Sequence, residues 1–138
     1  MILSAVRKYF ESCPYFEDAR INADFLGEAP KSFGIYAEHF APVLKTYASG
    51  DTLSQFVFSI RMRASYGRKI SENEKISKLF YDIKSWIDTQ KSAENLPIVS
   101  DDISVQDIEV LTGGHLKNTN AADCVYEMKC RIIYYKRR

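Results

Sequence analysis

Four basic residues alternate along two stretches of this chain of 138 residues: Arg61 and Arg63 within Gln55–Tyr66, and Lys129 and Arg131 within Cys124–Tyr135. If the two stretches lie side by side, one surface gathers four or more positive charges, with Lys136, Arg137 and Arg138 following. Such a surface suits a channel wall, an acidic partner or the phosphates of DNA. The alternative is a solvated sheet face whose exposed charges contribute little individually to stability. Val57, Val125, Ile133 and Tyr135 lie between these charges, the mixture expected of a partly polar contact between subunits.

Bond-making chemistry has no comparable support. His39 and His115 stand far apart without companion ligands at metal spacing and read as solvent-facing. Asp101-Asp102 reads as a solvated turn, and Gly113-Gly114 lacks the helix-opening pattern of a phosphate cradle. No serine or cysteine occupies a nucleophile elbow. Cys13, Cys124 and Cys130 have no CxxC spacing. Six residues of strand separate the last two by about 20 Å, too far for a disulfide, so reduced core thiols are expected. The sequence predicts no enzyme, no cofactor and no metal.

The elements that carry the basic residues follow from periodicity. Phe56, Phe58, Ile60, Met62, Ala64 and Tyr66 share one face of the first stretch, and Cys124, Tyr126, Met128, Cys130, Ile132 and Tyr134 one face of the second. Period two over about twelve residues predicts long strands, each buried on one face. Ile2, Leu3, Val6, Phe10 and Cys13 predict a helix over 2–13, stopped by Pro14. A strand is expected over Arg20–Leu26 with a turn at Gly27 to Pro30. Phe33, Ile35 and Ala37 predict another, Pro42 breaks it, and Val43–Tyr47 resumes more weakly. Ser49-Gly50-Asp51 is a turn.

Ser71 to Glu74 has the pattern of a capping box, opening a helix striped by Ile76, Leu79, Phe80, Ile83, Trp86 and Ile87. Asn95-Leu96-Pro97 ends it. In residues 98–112, Ile103/Val105 and Ile108/Val110 fall out of phase, and a bulge near Gln106-Asp107 would restore one buried face. Gly113-Gly114 is expected to turn and Lys117–Ala122 to form a loop.

The expected fold is α+β: one domain, 1–138, with an antiparallel-rich twisted sheet of four to six strands and two amphipathic helices on one face. Apolar residues at 46% and charged ones at 27% are ordinary for a globular domain. A net charge of +1 argues against a dedicated nucleic-acid binder. With no signal-peptide pattern and no membrane-length apolar run, synthesis and folding in cytoplasm are expected.

Several blocks resemble, in order along nearly the whole chain, a family of small proteins from tailed-phage and prophage morphogenesis regions of Gram-positive bacteria. They are Ser12-Cys13-Pro14, Arg20-Ile21-Asn22-Ala23-Asp24-Phe25-Leu26, Gly50-Asp51-Thr52-Leu53-Ser54-Gln55-Phe56, Ser65-Tyr66-Gly67, Phe80-Tyr81-Asp82 with Trp86, Asn95-Leu96-Pro97, Ile108 to Gly114 and Cys130 to Tyr135. Family members carry labels such as "minor capsid protein" and "chloramphenicol resistance protein". Chloramphenicol acetyltransferases place a histidine in an HHxxxDG motif, and neither His39 nor His115 has that setting.

The resemblance implies a siphophage tail terminator or head–tail joining protein, a structural homo-oligomer forming a hexameric ring at the head–tail junction of the virion. Its implied partners are the tail tube protein and a head-completion or connector protein, with non-specific contact to genomic DNA and none to membrane. The rival reading is a small nucleic-acid-binding module that uses the basic, Tyr-rich sheet face.

Overall fold

A computed structural model of the chain describes residues 2–16, 21–23, 33–65, 70–119 and 123–138, with side chains described at all of these except 21–23, 64–65, 70–73, 75, 114–119 and 123–124. Its elements are α1 (Ile2–Phe10), a 3-10 turn (Pro14–Phe16), β1 (Ile21–Ala23), β2 (Phe33–Ala37), β3 (Val43–Thr46), β4 (Thr52–Ser65), α2 (Ile70–Ser92), β5 (Ile103–Thr119) and β6 (Asp123–Lys136). The order and the α+β class match the sequence expectation.

The two alternating stretches are the spine. β4 and β6 pair antiparallel without a break from Thr52↔Lys136 to Ser65↔Asp123. The sheet runs β1-β2-β4-β6-β5, with β3 beside the first residues of β4. β1–β2 is the one parallel pair among these strands. In-register neighbours Phe58 and Cys130, and Ile60 and Met128, are buried on the face that both helices cover. Val6 and Phe10 of α1 and Ile76, Phe80, Ile83 and Ile87 of α2 complete that core. Tyr66 lies outside the described residues, as do the side chains of Ala64 and Cys124.

The out-of-phase pairs in β5 are reconciled as expected. The register shifts between Val105 and Asp107, so Val105 faces Tyr134 and Ile108 faces Ile132 on the same side of the sheet. Lys91 in the last turn of α2 reaches the bulge, its Nζ 2.9 Å from Asp107 Oδ1. Gly113-Gly114, in contrast, does not turn. β5 continues through it to Thr119, with further register shifts between Thr112 and His115 and between Leu116 and Asn118. The hydrogen-bonding partner β6 supplies what glycine propensity withholds. Lys117 to Thr119 is therefore strand, and 120–122 lies outside the described residues.

Boundaries differ modestly elsewhere. α1 ends at Phe10, where Ser12 Oγ donates to the Tyr9 carbonyl, yet Cys13 remains buried. The turn starting at Pro14 then brings Phe16 edge-on to Phe33, 4.7 Å between centroids. Of the strand expected over Arg20–Leu26, Ile21–Ala23 is described, and the turn at Gly27 to Pro30 lies outside the described residues. α2 begins at Ile70, one residue before the expected cap, and the Ser71 side chain lies outside those described.

α2 closes with a Schellman arrangement: Asn95 N donates to the Gln90 carbonyl at 2.9 Å and Glu94 N to that of Lys91 at 3.0 Å. Glu94 has φ 58°, a left-handed conformation usually held by glycine. Glu94→Gly is expected to raise stability by up to about 1 kcal/mol, because relief of that strain outweighs the added freedom of the unfolded chain. Urea unfolding would show the midpoint rising at unchanged slope.

Candidate functional site: a charged sheet face and an open edge

Side chains on the second face of β4 and β6 point away from the helices, and the β4–β6 register sets opposite residues within reach across the strands. All four predicted basic residues share this face, at the pairs Val57↔Arg131, Ser59↔Lys129, Arg61↔Glu127 and Arg63↔Val125. The face is not a cluster of uncompensated positive charge, however. Arg61 Nε donates to Glu127 Oε2 at 2.7 Å, and its Nη2 lies 3.4 Å from Glu38 Oε1. The guanidinium also covers the Tyr36 ring, 4.1 Å from its centroid. Glu38 accepts a further hydrogen bond from Ser59 Oγ.

Arg131 repeats the pattern one step along, with Nε 2.7 Å from Glu109 Oε2 and Nη1 3.1 Å from Gln55 Oε1. Carboxylates from the segment after β2, from β5 and from β6 thus offset most of the charge. The Glu127 side chain is 4% exposed and that of Arg61 19%, so this pair is an inner element of the face and not a solvated one. The expectation of exposed, energetically minor arginines is corrected for Arg61. A guanidinium already engaged by two carboxylates has few donors left for a phosphate.

The predicted inter-subunit residues separate in a similar way. Val57 is buried within the chain, whereas Val125, Ile133 and Tyr135 are half-exposed. Tyr135 donates its hydroxyl to Asp51, whose backbone neighbour Gly50 forms the turn before β4. That bond holds the Asp51 carboxyl below its ordinary range and raises the Tyr135 phenol.

The more open apolar surface lies at a strand edge that the sequence reading did not single out. Every residue of β3 is exposed, with Val43 at 49% and Leu44 at 45%, and Phe40 just before it is 56% exposed. Pro42 was the available signal, since a residue with no backbone N–H is confined to edges and bulges of a sheet. At the opposite edge, β5 exposes Leu111.

The remaining candidates stay apart. His39 is exposed, and His115 lies opposite Glu127 on β5, its side chain outside those described. Asp102 accepts from Ser100 Oγ at 2.6 Å in a turn. Cys13 and Cys130 are buried free thiols, and burial raises both, Cys13 to about 11. No described helix is long and apolar enough to cross a membrane. Neither family models nor curated proteins match the chain.

Proposed function

We propose that this chain is a ring-forming assembly subunit of a tailed-phage particle, a tail terminator or closely related head–tail joining protein that caps the tail tube and receives the head. The observation that carries the assembly reading is the exposed β3 edge: a strand with β4 on one side and no described strand on the other, flanked by Phe40, Val43 and Leu44, is a template for another chain. The family resemblance of the sequence blocks supports the particle to which the ring belongs.

The mechanism is geometric. A ring closes when one patch on each subunit meets a different patch on the next, and the β3 and β5 edges of this sheet are two such patches on opposite sides. Its partners are further copies, the tail tube protein and a head-completion or connector protein.

Light scattering across a concentration range, alone and with tail tubes of the same particle, tests this. A mass rising to a ring is expected, and Val43→Asp with Leu44→Asp should abolish the rise while the unfolding transition stays in place. A strict monomer under both conditions would overturn the proposal.

A further inference from the structure

Positive charge without an ion pair gathers at the end of the sheet, away from the arginine ladder. Lys136, Arg137 and Arg138 are exposed and make no salt bridge among the described residues. Their backbone is nonetheless fixed: Arg137 N donates to the Asp102 carbonyl and Arg138 N to Asp51 Oδ1, both at 2.8 Å. The three residues border an open cavity of about 330 Å³ at this end of the sheet.

The opposite wall of this cavity is hydroxylic. Thr52, Ser54 and Tyr134 line it, with Thr52 Oγ1 and Ser54 Oγ 3.1 Å apart. Three hydroxyls carry three protons, and the Thr52–Ser54 bond uses one of them, which leaves O–H groups to donate outward. Gly50 forms part of the lining with φ 94°, and a Cβ there would meet Arg138 Cδ. The Arg138 side chain therefore runs alongside Gly50, whose positive φ, a conformation that L side chains rarely adopt, favours glycine at this position. Asp51 and Asp102 offset part of the charge nearby, but Asp51 is already engaged by Tyr135 and the Arg138 amide, and Asp102 by Ser100.

We propose that this cavity is an anion site that receives a phosphoryl group, held by the forks of Arg137 and Arg138, by Lys136 and by the hydroxyl wall. Planar guanidinium groups match pairs of phosphate oxygens. The volume lies near the lower end of the range for small-ligand sites, roughly 300–1,000 Å³, enough for one phosphate and its immediate substituent. The phosphoryl group comes from free phosphate or from the phosphodiester backbone of a nucleic acid. The site needs no ring, although Val43 of the β3 edge also borders the cavity.

The intact protein would be titrated with inorganic phosphate, against chloride at equal ionic strength, while its backbone amide resonances are followed. Saturable shifts at Gly50, Ser54 and Arg138 are expected with phosphate alone. Arg137→Ala with Arg138→Ala should weaken binding about tenfold or more, the loss of two charge-assisted contacts, at an unchanged unfolding midpoint. A second arm uses a short single-stranded oligonucleotide. Tighter, salt-dependent saturation of the same resonances assigns the site to nucleic-acid phosphodiesters, and binding no tighter than that of phosphate assigns it to free phosphate. Equal shifts with chloride, or wild-type affinity in the double variant, would overturn the site.

Discussion

Arg61→Ala is expected to destabilise the fold by about 3–5 kcal/mol, the range found when one member of a buried ion pair is removed. Exposed pairs contribute about 1 kcal/mol or less, so burial decides which figure applies. The Glu127 carboxylate is 4% exposed and receives Arg61 Nε at 2.7 Å. Removing the guanidinium takes away a charged partner of Glu127, frees Glu38 Oε1 from its contact at 3.4 Å and uncovers the Tyr36 ring.

A companion variant isolates the cause. Arg61→Met with Glu127→Gln should lose at least about 1 kcal/mol less than the two single costs combined, because neither substitution then leaves the other's buried charge without this close partner. Arg131→Ala, whose pair with Glu109 is about a third exposed on each side, should cost under about 1 kcal/mol. Urea unfolding of these variants would read all the values. A loss for Arg61→Ala as small as that for Arg131→Ala would show that water reaches Glu127 freely. The practical consequence concerns assembly tests: charge reversal at Arg131 probes the surface, whereas reversal at Arg61 places a third carboxylate beside Glu38 and Glu127 and disturbs the fold itself.

Phe58→Ala should cost about 3–5 kcal/mol, through lost transfer energy and the cavity left behind. Phe58 is fully buried at the junction of sheet and α1, its ring 5.9 Å from that of Phe10 and 6.0 Å from that of Phe56. Phe10 also meets Trp86 of α2 at 5.7 Å, so the space is bounded by three elements that cannot all move inward together. Ile132→Ala, beneath the same helices, should cost about 2–5 kcal/mol, and Lys84→Ala on the outer face of α2 no more than about 0.5 kcal/mol. If the outer-face change proved the costlier, the helix phase would be wrong.

How much of this was legible in the sequence depends on the range over which each feature is decided. Alternation determined the two long strands and which of their faces is buried, because side chains on a strand leave no other way to cover Phe58, Ile60, Met128 and Ile132 together. The phase slip between Val105 and Ile108 determined the bulge, since without one of the two pairs would face away from the core. Helical spacing did the same for Phe80, Ile83 and Ile87.

Tertiary structure decided whatever depends on a neighbour. Gly113-Gly114 resembles a turn locally, yet pairing with β6 carries the strand through it. The basic ladder was visible in order and spacing, but its charge was not. Glu38 reaches Arg61 from 23 residues earlier and Glu127 from 66 later, and only the β2–β4–β6 register brings them within hydrogen-bonding distance. Exposure of Phe40, Val43 and Leu44 likewise follows from β3 having β4 on one side and no described strand on the other. Periodicity acts within one strand and declares its faces. Register and edge position are properties of the sheet, so the partners of a charge and the openness of an edge are settled only when the strands have paired.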